Sequence, residues 1–298
     1  MKTRSLNRRQ VLRAATLTAS VGAISVLHAA AKSKGVVWPI GCLNRAWAKW
    51  PSEVALAGIR AAGYRLAGLL SNHVDNPLAL PDATVESLAA LRKKLATNGL
   101  EANLTALRYN EASSSPDIEA SVRAQLDHAQ AIGVGTVMTF GTDRPENYER
   151  YLRLMKQTAA WAADRRLQLV LKPHGGISAS AAELERCLDR VGHANFKLWY
   201  DAGNILHYTG KDPVTELKSI AKHVTGFCAK DCVGRGGEVM LQFGLGQVDF
   251  PGVFAVLKAA GFHGPVMVEG VKVGSTPEET TANARANREF LEKILTAV

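Results

Sequence analysis

Eight short apolar runs separated by stretches of helical period leave few architectures open to this chain. They are Val36-Val37-Trp38-Pro39-Ile40, Tyr64 to Leu70, Ala102 to Leu107, Thr136 to Phe140, Leu167 to Leu171, Lys197 to Tyr200, Val224 to Ala229 and Val266 to Val268. Most are continuous rather than alternating, the pattern of strands covered on both faces. Between them, Val85, Leu88, Leu91 and Leu95 form one helical stripe and Leu152, Met155, Ala159 and Ala162 another. Gly63, Gly99, Gly133 and Gly261 stand just before strand runs, where helices are expected to end. Ser52-Glu53, Asp82-Ala83 and Thr276-Pro277 have the residues of helix starts. Alternation of this kind predicts an α/β fold, a single closed (β/α)8 TIM barrel, and 298 residues accommodate the about 250 that such a barrel takes. The competing doubly wound sheet lacks its glycine-rich fingerprint, since Gly41-Cys42-Leu43-Asn44-Arg45 contains a single glycine.

The first 31 residues are expected to be a signal peptide, with the barrel domain occupying residues 32–298. Lys2, Arg4, Arg8, Arg9 and Arg13 precede an acid-free apolar stretch ending in Ala29-Ala30-Ala31, and Arg8-Arg9 followed by Gln10-Val11-Leu12 resembles a twin-arginine export motif. A retained anchor is the alternative, although the stretch is short and only moderately apolar for a span. The expected location is therefore periplasmic or secreted, with the twin-arginine export machinery as a partner. Losing the signal removes five positive charges and no negative one from a net +9, leaving +4, too little to indicate nucleic-acid binding. Cys42, Cys187, Cys228 and Cys232 are expected to be buried free thiols, with a disulfide as the alternative in an oxidising compartment.

Chemistry-bearing residues collect just past the last four runs, where a barrel opens its active site. Leu171-Lys172-Pro173-His174-Gly175-Gly176 places an imidazole, a good ligand and proton shuttle, between a strand-breaking proline and loop-opening glycines. Tyr200-Asp201-Ala202-Gly203-Asn204 offers a carboxylate, a metal ligand or a helix cap, with an amide three residues on. Ala229-Lys230-Asp231 is either a rim ion pair or a site in which Lys230 stabilises an enediolate oxygen. Val268-Glu269-Gly270 sets a carboxylate where packing has little use for one.

Together these motifs resemble the sugar phosphate isomerase/epimerase family, xylose-isomerase-like barrels that include ketose 3-epimerases and inosose dehydratases, from about Val36 to Leu291. The Gly-x-Gly-x-Val-Asp-Phe turn appears as Gly244 to Phe250, and the last-strand glutamate as Glu269. The resemblance implies a divalent metal (Mn, Mg, Co or Zn) held by carboxylates and a histidine, with two glutamates as acid and base. This chain departs from that pattern: Lys172 stands where the first glutamate is expected, Asn204 where a substrate-binding histidine occurs and Ala229 where the histidine ligand would be. Arg235 matches a substrate-binding arginine. The expectation is an enzyme that abstracts a proton next to the carbonyl of a sugar or keto-sugar. Glu269, Lys172 and Lys230 are its expected catalytic residues, and Asn204, Arg235 and Asp231 its substrate-binding ones. His174, Asp201 and Glu269 are the expected metal ligands, and no nucleotide cofactor is expected. Alternatives are a lyase or dehydratase of the same superfamily and a non-catalytic carbohydrate-binding barrel in which Arg45, Trp38, Trp47 and Trp50 grip a sugar. An endonuclease would need a dense ligand cluster for several zinc ions, and the eight histidines here are scattered.

Overall fold

The computed structural model describes residues 38–71, 73 and 83–298. The expected signal peptide lies outside them. Eight parallel strands pair in sequence order, and the last closes on the first. They are β1 (Ile40–Leu43), β2 (Leu66–Leu69), β3 (Glu101–Ala106), β4 (Thr136–Thr139), β5 (Gln168–Leu171), β6 (Phe196–Tyr200), β7 (Val224–Ala229) and β8 (Val266–Val268). Around them run α1 (Ser52–Ala61), α2 (Val85–Thr97), α3 (Ser115–Ile132), α4 (Tyr148–Asp164), α5 (Ala181–Val191), α6 (Ala202–Thr209), α7 (Pro213–Ile220), α8 (Phe250–Ala259) and α9 (Pro277–Ala297). The β6–β7 connection holds two helices, which departs from strict alternation. No helix of the described residues is long and apolar enough to cross a membrane.

The expected (β/α)8 barrel is the observed fold, with local corrections. Among the described residues the first strand begins at Ile40, after Trp38 and Pro39, and Val36 and Val37 lie outside them. The Trp38 indole donates to the Phe262 carbonyl and packs edge-on against Phe254 and Phe262, so it closes the barrel floor. Trp47 is buried as well, which removes both indoles from the sugar-gripping set. Helix α2 starts after a Thr84 cap rather than at Asp82-Ala83, and Val85 is 79% exposed, outside the stripe that buries Leu91 and Leu95. The stripe on α4 is buried as expected. Gly133 ends α3 in the left-handed conformation at φ 84°, where a Cβ would meet no neighbour; backbone geometry alone selects glycine there. All four cysteines are buried and free.

The period of two along each strand separates two apolar layers. Leu169, Leu171, Leu198, Tyr200, Phe227, Ala229, Val266 and Val268 belong to the larger layer between sheet and helices. Leu43, Leu104, Ala106, Met138, Val170, Trp199, Cys228 and Met267 form a second cluster that fills the barrel. Outside β2, stepping two residues on from the innermost member of each strand reaches Arg45, Arg108, Phe140, Lys172, Asp201, Lys230 and Glu269. The apolar filling therefore ends in a ring of mostly charged side chains at the C-terminal mouth.

Candidate active site

Lys172, Asp201, Lys230 and Glu269 come from four consecutive strand ends and are 0–2% exposed. Their backbones continue the barrel ladder, with the Lys172 amide donating to the Thr139 carbonyl and the Glu269 amide to that of Ala229. Burying four charges is tolerable only because they neutralise one another. The Lys172 ammonium contacts Glu269 Oε2 and lies 3.0 Å from Asp201 Oδ2. Lys230 Nζ is 2.9 Å from Glu269 Oε1 and 3.3 Å from Asp201 Oδ2. Arg45, from the end of β1, adds a third cation at 2.9 Å from Glu269 Oε1. Both ammonium groups lie off the hydrogen-bonding direction of Asp201 Oδ2, which is held by ion pairing alone.

Burial by itself pushes the Glu269 carboxyl up, but Lys172, Lys230 and Arg45 together hold it well below the usual carboxylate range. Burial likewise disfavours the Lys172 ammonium, and Glu269 and Asp201 outweigh it, so Lys172 keeps its proton far into alkali. In the resting site Glu269 is ionised and Lys172 is charged.

Asp201 performs both tasks foreseen for it as alternatives, cap and charged-site member. Its Oδ1 accepts the Asn204 amide at 2.9 Å and caps α6, while Oδ2 faces the lysines. Asn204 is tied within the protein: its Nδ2 donates to the Pro173 carbonyl at 2.6 Å, and its Oδ1 accepts from Lys230 at 3.0 Å. It positions Lys230 rather than reaching into open space. Gly203 between them permits this packing, because a Cβ there would lie 2.6 Å from the Lys230 carbonyl oxygen.

Three expectations are corrected. Asp231 is not available to a substrate, because its two oxygens accept the amides of Cys232, Gly244, Gly246 and Val248 at 2.8, 2.9, 3.0 and 3.2 Å. It shapes the Gly244 to Phe250 turn, whose Asp249 then caps α8. Replacing Asp231 with asparagine sets an NH2 against backbone donors and is expected to cost about 2–3 kcal/mol in urea unfolding. A loss below about 0.5 kcal/mol would contradict this role. Arg235 is exposed, its stem against Gly210 at the end of α6, and does not join the charged cluster. His174 stands on the exposed rim between the rings of Phe140 and Tyr208, each centroid 5.2 Å away, with the Tyr208 hydroxyl 3.3 Å from Nε2. Partial enclosure and the charges of Lys172 and Lys230 push this imidazole down to about 4. With its edge in solvent, repulsion is the firmer cause.

These positions do not fit the expected metal. Among the described residues no three His, Cys, Asp or Glu side chains converge as ligands would. Both carboxylates are taken by ammonium groups, which donate hydrogen bonds and offer no lone pair. The Lys172 ammonium already stands between Asp201 and Glu269, where a cation would be held.

From the sequence Arg45 is expected only as a sugar grip, and Arg108 is not among the expected site residues. The Arg108 Nη2 donates to the Leu70 carbonyl at 2.9 Å, and its guanidinium lies 5.7 Å from the Phe140 ring centre, the same distance as the Lys172 ammonium. Both arginines obey the two-residue step from a barrel-filling residue that also yields Lys172, Asp201, Lys230 and Glu269. That step was the available signal. Beside the cluster, a cavity of about 620 Å³ opens over Phe140, His174 and Tyr208; the buried lysines and carboxylates do not line it.

A closed parallel barrel with an ionic ring at its C-terminal mouth defines a class of enzyme-like scaffolds. The family model described as Xylose isomerase-like TIM barrel matches residues 56–294, and the chain belongs to that family. It is 24% identical over 254 residues to L-ribulose-5-phosphate 3-epimerase UlaE of Salmonella paratyphi C, an alignment covering 79% of this chain and 87% of that protein. The fold is shared with D-allulose 3-epimerase from a Methylomonas species, at a TM-score of 0.70 and 20% identity over 86% of this chain and 98% of the other. It is shared also with a xylose isomerase-like TIM barrel protein of Mycobacterium smegmatis, solved in complex with magnesium. That match has a TM-score of 0.72 and 16% identity over 88% and 97% of the two chains.

Proposed function

We propose that this protein is a sugar epimerase or isomerase that moves a proton at a carbon next to a carbonyl, using ammonium groups as its local positive charge. The observation that carries the proposal is Glu269, a buried carboxylate at the end of the last strand, ringed by Lys172, Lys230 and Arg45. Membership of the family and the epimerase names of the relatives support epimerisation over elimination. The burial of Trp38 and Trp47 weakens the non-catalytic sugar-binding alternative.

In this reading the substrate enters over Arg45, the most exposed of the cations that hold Glu269. Its carbonyl and neighbouring hydroxyl oxygens take hydrogen bonds from Lys172 and Lys230. Drawing those ammonium groups away from Glu269 relieves the charges that depress its basicity. Glu269 then accepts the proton from carbon. The C–H electron pair forms the new C=C bond, and the former carbonyl electrons move onto oxygen, giving an enediolate beside the two ammonium groups. Once Glu269 is neutral, Lys172 has lost one of the two carboxylate charges that held its proton, so it becomes a better acid. Lys172 or Lys230 returns a proton to carbon and completes the epimerisation or isomerisation.

Incubation with a panel of ketoses in deuterated water tests the reading, since carbon-bound deuterium reports the transfer directly. Incorporation into at least one ketose is expected. A panel that is bound yet never exchanged would sink the proposal.

We also propose that the chain is exported by the twin-arginine route to the periplasm, a reading supported by the basic residues and apolar stretch of residues 1–31. Replacing both arginines, Arg8→Lys with Arg9→Lys, is expected to leave the precursor in the cytosolic fraction. Unchanged periplasmic recovery would remove the twin-arginine assignment.

A further inference from the structure

The ring at the mouth carries more positive than negative charge. Arg45, Arg108, Lys172 and Lys230 face it, against the carboxylates of Asp201 and Glu269. The two lysines are buried and balanced by the two acids, so the excess resides on the arginines. Arg45 is 37% exposed and Arg108 is exposed, whereas the lysines are closed off from solvent. Arg45 shares Glu269 with both lysines. Arg108 has no carboxylate partner among the described residues, and its guanidinium meets the Leu70 carbonyl and the Phe140 ring. Partial enclosure of its stem and, secondarily, the charge of Arg45 pull the Arg108 guanidinium down from its usual value. Of the nearby acids, Glu238 spends its Oε1 on the amides of Val239 and Met240, and Glu111 is held by Thr142 and Asn147.

An exposed guanidinium without a carboxylate partner among the described residues, at a barrel mouth where cations outnumber acids, is an unfavourable arrangement for the protein alone. It becomes favourable when an anion arrives, because guanidinium groups bind carboxylate and phosphate oxygens through paired donors and the field of the ring draws the anion in. We propose that Arg108, assisted by Arg45, binds an anionic group of the sugar, a carboxylate or a phosphate, at the end remote from the carbon that reacts over Glu269. The neutral hydroxyl end of an ordinary ketose would leave this charge uncompensated. The proposal deepens the epimerase reading by naming its substrate class and rests on that reading for the position of the reacting carbon.

Three ketoses with one carbon skeleton and different ends separate the possibilities: D-fructose, D-fructose 6-phosphate and D-fructuronate. Calorimetric titration of the full-length folded protein is expected to give at least about tenfold tighter binding for one of the anionic sugars than for D-fructose, with affinity falling as salt rises. The phosphate and carboxylate arms identify which anion the site prefers. Arg108→Gln is expected to abolish the difference while leaving D-fructose binding within about twofold, and Arg108→Lys to retain part of it. If Arg108→Gln lowers expression, Arg45→Gln is the second variant, with a smaller loss of the same preference. Equal binding of all three sugars, no binding of either anionic sugar, or an Arg108→Gln variant that keeps the preference would overturn the proposal. Binding is measured separately from deuterium exchange. Anion preference without exchange would count against the epimerase reading alone, and exchange without preference against the anion site alone.

Discussion

Lys172→Met is expected to destabilise the protein by about 3–5 kcal/mol, the largest single-residue effect outside the apolar core. Methionine approximates the length of the lysine stem and leaves no large hole, so the loss is electrostatic in origin. Lys172 is the closer of the two ammonium groups shared by Asp201 and Glu269, which are fully enclosed. Without it Lys230 and Arg45 face two buried carboxylates, and Asp201 Oδ2 keeps a single ammonium at 3.3 Å. Urea unfolding monitored by far-UV circular dichroism measures the difference, and a loss below about 1 kcal/mol would mean that the ionic ring is not the support described here.

The same ring sets the pH limits of stability. Glu269 has a depressed folded pKa, so its contribution is complete above the unfolded value of about 4.3 and fades as pH falls below it. Lys172 has a raised folded pKa, so its contribution is complete below about 10.4 and fades as pH rises beyond it. The ring therefore supports the fold fully between these limits. In Lys172→Met the alkaline decline due to this residue should disappear.

A carboxylate at the same position reverses the charge. Lys172→Glu would bring a third carboxylate to Asp201 and Glu269, a donor set suited to a divalent cation. Calorimetry with manganese should detect binding in that variant and little in the parent protein. Equal manganese affinity in both would show that Lys172 is not what keeps the cation out.

Glu269→Gln is expected to lower deuterium exchange by about 10²–10⁴-fold, the usual contribution of a positioned base. Glutamine preserves shape and accepts from one lysine, yet it cannot take a proton from carbon at neutral pH. The rate should fall in kcat far more than KM rises, because sugar binding uses the surrounding cations. Circular dichroism and sugar titration on the same preparation distinguish this from unfolding. A variant that retains exchange within about threefold of the parent would remove Glu269 from the reaction.

The barrel is legible in the chain because the signals that specify it are local. Continuous apolar strands, helical stripes and glycines such as Gly133 at helix ends each follow from a few neighbouring residues. The main local errors also have local causes. Hydrophobicity extends the first run over Trp38 and Pro39, whereas β1 begins at Ile40, after a proline that has a carbonyl to offer Val266 but no amide to donate. Val85 joined the α2 stripe by spacing, but it sits in the first turn and faces solvent.

The site was legible by position and much less by role. Lys172, Asp201, Lys230 and Glu269 are found because a polar residue following an apolar strand points into the mouth whenever its separation from a barrel-filling residue is even. That parity requires knowing which strand residues fill the barrel, and a continuous apolar run does not reveal it; Arg108 was overlooked for this reason. Asp231 differs from Lys230 by one position and therefore faces the opposite way, into the Gly244 to Phe250 turn. His174, which looked like a ligand in a proline-glycine context, is carried past the ring to the rim.

Sequence by itself determined that the chain closes a (β/α)8 barrel and which strand ends bear charge, because hydrophobic period and helix punctuation act over a few residues. Tertiary structure alone decided the partners. Lys172 meets Glu269 across 97 residues and Arg45 meets it across 224, contacts made only when the eighth strand pairs with the first. Charge compensation depends on distances through space, and the order of residues along a chain does not contain those distances until the barrel has closed.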